Sequence, residues 1–381
     1  MRVDERTRRP AGAAIGAAYA AQGLGYAAVV TSLPSLKDQV RIDDVVVAVI
    51  VLGVSVAAAA GSVLADLIAV RAGSRAALVT GLLLQAAALP LIALLTPLPP
   101  FLAAFAVYGL GLGCVDAASA MQGVALQRSR GRPVLGRLFA VYTAAAIVGA
   151  VLVAGAAASS ASAMPLLVAC AVAAGAAVAG TRWFSTERPT AAASGSSRLP
   201  RRGIWVFGSV ILAAFALDAA VSTWSTVYLA DTLTTAAVIA PLGYAAYQGA
   251  VLVTRLATDA LVTRLGRRAL AALSAVVAIV GCVVIAAIPL PAAAVVGFAL
   301  AGVATGVLVP VAFAAAGDLD PARADEVIAR VNLFTYAGAV LGAVGVGLIG
   351  DATGLGVAFL LPGLALVTVL VVRRRFASRA R

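Results

Sequence analysis

Twelve stretches of this chain each run for about 20 predominantly apolar residues, the length an α-helix needs to cross the hydrocarbon core of a bilayer. They cover approximately residues 11–33, 44–65, 76–96, 100–125, 136–158, 162–181, 204–229, 236–256, 269–289, 291–315, 328–350 and 354–372. The bilayer core offers no water to backbone polar groups, so a spanning segment is a helix or a strand of a closed barrel. The runs lack the period-two alternation of barrel strands, so they are read as helices. The first run lacks a small-residue cleavage pattern and leads directly into further spans, which argues against a signal peptide. Composition agrees: 62% of the 381 residues are hydrophobic and 12% charged, against about 45–50% and about 25% in soluble domains. A water-soluble enzyme is almost excluded.

Charge placement orients the spans. Of the 28 basic residues, 26 fall at the two termini and in the even-numbered loops, and only Lys37 and Arg41 lie on the opposite side. By the bias of Lys and Arg toward the cytoplasmic side, both termini are expected in the cytoplasm of a bacterial inner-membrane protein. The net charge of +12 is read as this bias, because there is no soluble basic face to bind nucleic acid. The longest connection contains Thr190–Ser197, a Ser/Ala/Gly-rich stretch that reads as a flexible linker. It divides the chain into a six-helix bundle over 1–181, a linker over 182–203 and a second six-helix bundle over 204–381.

Two loops repeat each other. Asp66-Leu-Ile-Ala-Val-Arg71-Ala-Gly73-Ser-Arg75 and Asp259-Ala-Leu-Val-Thr-Arg264-Leu-Gly266-Arg-Arg268 share the pattern D-x4-R-x-G-x-R, and Asp66 to Asp259 is 193 residues. The Asp favours a helical turn, the Gly permits a tight one, and the Arg residues face anionic lipid or the acid. Two parallel six-span repeats are a transporter design, with a substrate site near the midplane. The loops resemble the signature of the major facilitator superfamily between spans 2 and 3 and between spans 8 and 9. The likeness is finer at Gly109–Gln122, Gly131–Phe139 and Asp218–Leu229, which resemble the fucose-permease-like bacterial branch. Ser62, Ala120, Phe139, Asp218 and Thr223 depart from the branch pattern, so the resemblance implies the fold and secondary active transport without naming a substrate. It further implies a monomer, a central cavity lined by spans 1, 4, 7 and 10, and a cytoplasmic gate built from Asp66, Arg71, Gly73, Arg75, Asp259, Arg264, Gly266 and Arg268.

The chain has no histidine, which removes the commonest general base and zinc ligand. Cys114, Cys170 and Cys282 are scattered through apolar runs and read as packing residues. No metal, cofactor or catalytic cluster is expected, and an enzymatic function is rejected. Two carboxyls lie inside spans, Asp116 and Asp218. Charges at such depth cost roughly 2.5–3.5 kcal/mol on insertion scales and usually face a cavity or a partner. A group that gains and loses a proton there can couple transport to a proton gradient; the competing reading is a structural hydrogen bond. Asp218 starts a polar stripe continued by Ser222, Ser225 and Thr226. Gln22 and Tyr26 on span 1, Trp224 on span 7, and Tyr244, Tyr247 and Gln248 on span 8 are further candidate contacts for a substrate or proton. The expected function is proton-coupled transport of a small organic solute by alternating access, with proton-driven export of hydrophobic or cationic compounds as the alternative.

Overall fold

A computed structural model of the protein describes residues 5–42, 44–157, 163–186, 199–235, 239 and 242–376. The expected linker stretch Thr190–Ser197 lies outside them, as do Arg2, Arg188, Arg198, Arg379 and Arg381 of the basic loops. Thirteen helices follow in order. The first six are α1 (Glu5–Val40), α2 (Asp44–Ala72), α3 (Ser74–Leu94), α4 (Leu98–Arg130), α5 (Leu135–Ala157) and α6 (Met164–Trp183). The remainder are α7 (Arg201–Val227), α8 (Leu242–Ala287), α9 (Pro291–Gly317), α10 (Ala324–Val340), α11 (Val346–Thr353), α12 (Leu355–Ala358) and α13 (Leu360–Val372). There is no strand among the described residues.

Eleven segments among the described residues are long and apolar enough to cross a membrane. The difference from twelve lies in α8, whose 46 residues cover the eighth and ninth runs together. Its helical path breaks at Gly266, with φ 77° and ψ 155°, so one continuous element contains two spans. The repeat partner Gly73 has nearly the same backbone, φ 88° and ψ 157°, and separates α2 from α3. This region of the backbone map is essentially closed to residues with a Cβ. The duplicated sequence pattern is therefore also a duplicated backbone turn.

The eleventh run is not a single regular helix. Five residues, Leu341–Gly345, form a π turn between α10 and α11. A π turn opens the regular hydrogen-bond ladder. Trp224 of α7 donates its indole Nε1–H to the Ala343 carbonyl at 2.7 Å, which satisfies a backbone group inside the turn.

The chain forms two compact units. Unit 1 comprises 1–131, 141–197 and 321–330; unit 2 comprises 132–140, 198–320 and 331–381. In unit 1, α4 packs against α2 and α3, and α3 against α6. Gly109 and Gly113 let α4 lie directly on the α2 backbone at Val54 and Ala58, the close approach small residues permit between spanning helices. In unit 2, α9 is buried along nearly its whole second half and packs on α7 and α8. Gly338 and Gly342 bring α10 onto the α7 backbone at Leu212 and Ala216. Large apolar side chains remain on the outer faces, Val178 at 69% and Leu364 at 70% exposure, as lipid contact requires.

The turn at Gly266 gives a direct test. Gly266→Ala should destabilise the protein by about 1–3 kcal/mol through backbone strain. Gly249→Ala, on an open face of α8 with nothing within 4 Å of the added methyl, should be neutral or slightly stabilising. Thermal unfolding of the detergent-solubilised variants measures both.

Candidate functional site

Each unit holds a polar cluster inside its spans. In unit 1 it is built from α1, α3 and α4. Gln22 donates its amide N–H to Asp116 Oδ1 at 2.6 Å and to the Leu112 carbonyl at 3.2 Å. Its amide oxygen accepts from Gln85 Nε2 at 2.5 Å. These three contacts fix which way the Gln22 amide points, so Gln22 holds the Asp116 carboxyl from one side. From Gly111 to Val124, Asp116 is the one residue of α4 that is not buried. A carboxyl reaches accessible space in the middle of an otherwise closed span. Two turns earlier on α4, the buried Tyr108 hydroxyl has no hydrogen-bond partner among the described residues. Tyr26, a turn beyond Gln22 on α1, is 44% exposed.

In unit 2 the cluster spans α7, α8 and α9. The Tyr247 hydroxyl lies 2.7 Å from Asp218 Oδ1 and 2.9 Å from Thr305 Oγ1. A phenol has one proton. When Asp218 is ionised, Tyr247 donates to the carboxylate and accepts from the threonine. When Asp218 carries a proton, both bonds can reverse without moving a heavy atom. The site therefore accommodates either protonation state of Asp218. Ser222 lies a turn along α7 from Asp218, and on α8 the Tyr244 hydroxyl accepts from Gln248 Nε2 at 2.6 Å. Asp218, Tyr247 and Thr305 are thus joined by hydrogen bonds, and Tyr244 and Gln248 form a second bonded pair on α8. Trp224 stands apart from both, with its N–H engaged by Ala343 and its ring against Gly347.

The repeated aspartates meet the first turn of α5 and the second turn of α10. In unit 2, Asp259 is buried and accepts the backbone N–H groups of Gly136 at 3.0 Å and Arg137 at 3.1 Å. The Arg137 side chain is 3.8 Å away. The carboxylate caps the free N–H groups at the start of α5, where the helix field favours a negative charge. Arg255, one turn earlier on α8, donates to the Phe139 carbonyl at 3.4 Å and covers the Phe139 ring at 5.4 Å.

In unit 1, Asp66 faces the start of α10 differently. It is 3.9 Å from Arg330, which also pairs with Glu326 at 3.5 Å, while Asp66 Oδ1 has no hydrogen bond among the described residues. Ser62, one turn earlier, donates to the Ala329 carbonyl at 3.3 Å. The asymmetry has a cause in sequence. The first turn of α10 already carries Asp325 and Glu326, which satisfy its field and repel another carboxylate. The first turn of α5 has no acid, so Asp259 supplies one.

Of the expected gate residues, the two aspartates make these contacts and Gly73 and Gly266 make the turns. Arg71, Arg264 and Arg268 are exposed and Arg75 is partly so, and none of the four has an ion pair or hydrogen bond to a described residue. The arginines that meet the gate are Arg137 and Arg330. Sequence reasoning left them among the loop charges, although 330 less 137 is 193, the offset that joins Asp66 to Asp259. Ser62 and Arg255 are joined by the same offset. Gln85, Tyr108 and Thr305 were missed for a different reason: each is a lone polar residue within an apolar span.

The sequence profile of the Major Facilitator Superfamily matches residues 15–205 and 206–380. The chain belongs to the major facilitator superfamily. Transporter y4wD of Sinorhizobium fredii is 32% identical over 290 residues, covering 72% of this chain and 75% of that protein. Membrane protein MosC of Rhizobium meliloti is 26% identical over 345 residues, covering 89% and 83%. Among solved structures, the superfamily transporter FucP superposes with a TM-score of 0.85 at 16% identity, over 98% of this chain and all of that one. The proton:xylose symporter XylE superposes with a TM-score of 0.70 at 14% identity, over 98% and 96%. The chain is accordingly a multi-pass membrane transporter and not an enzyme.

The two aspartates should differ in their structural weight. Asp259→Ala strands two backbone N–H groups and should cost about 1–2 kcal/mol, as loss of a helix cap does. Asp66→Ala removes a long ion pair and should cost less than about 1 kcal/mol. Equal losses in thermal unfolding would contradict the asymmetry.

Proposed function

We propose that this superfamily member is a proton symporter that moves a small polar organic solute across the bacterial cytoplasmic membrane by alternating access. Both termini lie in the cytoplasm and the monomer is the working unit. The observation that carries this reading is the Asp218–Tyr247–Thr305 chain, which tolerates a proton on the carboxyl or its absence with the same heavy-atom positions. The adjoining face of Ser222, Tyr244 and Gln248 offers hydroxyl and amide groups, which suit a neutral, hydroxyl-bearing solute. Two fold neighbours described as proton symporters of fucose and xylose support the same class.

Asp116, held by Gln22, supplies the corresponding carboxyl of unit 1. Tyr26, at the accessible end of the Gln22 face, completes the solute contacts there. Asp66 and Asp259 serve as latches that release the starts of α10 and α5 during the cycle. Trp224 shapes the π turn and contributes to transport through it.

The test is flux in proteoliposomes with an imposed proton gradient and a panel of radiolabelled pentoses, hexoses and small organic acids. The wild type should accumulate at least one solute only when the gradient is inward. Asp218→Asn should lose gradient-driven accumulation while still binding that solute. Tyr247→Phe, which deletes one hydrogen bond to a charged group, should slow accumulation about tenfold. Undiminished accumulation by Asp218→Asn would remove the proton role from that residue. Proton-driven movement of hydrophobic cations with no polar solute accumulated would replace symport by export.

A further inference from the structure

The outer face of unit 2 carries a cleft between α7 and α13 with a volume of about 330 Å³, lined by Ser209, Leu364, Val367, Thr368, Val371 and Val372. Its two hydroxyls are turned to their own helices: Ser209 donates to the Val206 carbonyl at 2.9 Å and Thr368 to the Ala365 carbonyl at 2.7 Å. The cleft therefore presents hydrocarbon. Leu364 and Val371 are 70% and 76% exposed, on a face that a membrane transporter turns to lipid. Eight residues of helix separate Leu364 from Val372, about 12 Å at 1.5 Å per residue, so the cleft runs along the bilayer normal.

One end of the cleft is strongly basic. The short 3-10 turn Arg373–Phe376 follows Val372 directly, and Phe376 packs edge-on against Phe207 of α7 with ring centroids 5.2 Å apart. That contact ties the end of α13 to the start of α7, where Arg201 and Arg202 stand. All five arginines are exposed, and none of their side chains has an ion pair or hydrogen bond to a described residue. Trp205, one turn into α7, is 67% exposed and marks the interfacial depth at which lipid headgroups lie. A hydrocarbon cleft that opens at headgroup depth onto unpaired arginines matches a molecule with an apolar chain and an anionic head.

We propose that this cleft binds an anionic phospholipid, with an acyl chain along α13 and the phosphate at Arg373 and Arg374. The site is separate from the polar clusters of the transport path. Bound lipid bridges α7 and α13 on their outer side, and it joins the terminal helix to the helix that carries Asp218.

The experiment is thermal unfolding and native mass spectrometry of the full chain in neutral detergent, titrated with dioleoyl phosphatidylglycerol or dioleoyl phosphatidylcholine. Phosphatidylglycerol should bind saturably and raise Tm more than phosphatidylcholine, while soluble glycerol phosphate, which has the head without the chain, should have no effect. The double variant Arg373→Gln/Arg374→Gln should weaken phosphatidylglycerol binding on the order of thirtyfold. Val371→Trp, which fills the cleft and leaves the charges, should weaken it too. Arg182→Gln, an exposed arginine of the other unit, should leave it unchanged. Equal response to the two lipids, retention of the preference by the double variant, an equal effect of glycerol phosphate, or a concentration-dependent dimer seated on this face would each overturn the proposal.

Discussion

A polar group inside the bilayer must find its partner within the protein, because neither lipid nor water supplies one there. Nearly every feature of this molecule follows from that demand. It forces the backbone into helices, and it brings polar side chains within the spans into contact with one another. Gln22, Gln85 and Asp116 come from three helices to meet, as do Asp218, Tyr247 and Thr305. The same demand uses weak donors: the thiols of Cys114 and Cys170 lie 3.2 and 3.1 Å from the carbonyls of Ala77 and Ala86. It also gives Trp224 its place, since the π turn at Leu341–Gly345 leaves a carbonyl that the indole takes.

A carboxyl within such a network stands differently from the amides around it. An amide has one charge state and its bonds can be satisfied once. A carboxyl has two, and the network must serve both. Tyr247 can do so by reversing a single hydroxyl bond, whereas Gln22 offers Asp116 only a donor. The bond from Gln22 to Asp116 and the bond between Tyr247 and Asp218 thus differ in kind. The latch ends show the same divergence. Asp259 caps a helix that lacks its own acid, while Asp66 meets one already supplied with two.

The fold was legible because its cause is coarse. Length and apolarity of each run are enough to mark a span, and the D-x4-R-x-G-x-R repeat marks a backbone turn made twice. Gly73 and Gly266 adopt the backbone that only glycine allows, so their spacing in sequence carried structural information directly. Helical periodicity put Asp218 and Ser222 on one face of α7 and Tyr244, Tyr247 and Gln248 on one face of α8; the hydrogen bond between Asp218 and Tyr247 was not readable. The partners of the repeated aspartates were not. Arg137 and Arg330 act from the starts of other helices, and only the shared 193-residue offset points to them. Thr305, Gln85 and Tyr108 had no local signal at all, since a single polar residue in an apolar span looks the same whether it packs, bonds or waits. The π turn in the eleventh run was equally hidden, because the indole that bonds its Ala343 carbonyl comes from α7.

The central claim is that the carboxyl of Asp218 exchanges a proton within a fixed frame of Tyr247 and Thr305. Infrared difference spectroscopy of the protein in lipid, recorded as pH is stepped in the absence of any solute, tests it without knowledge of the substrate. The account predicts a carboxylic-acid band that changes with pH, is absent from Asp218→Asn and shifts in frequency in Tyr247→Phe. A difference spectrum that is identical in the wild type and Asp218→Asn would contradict it.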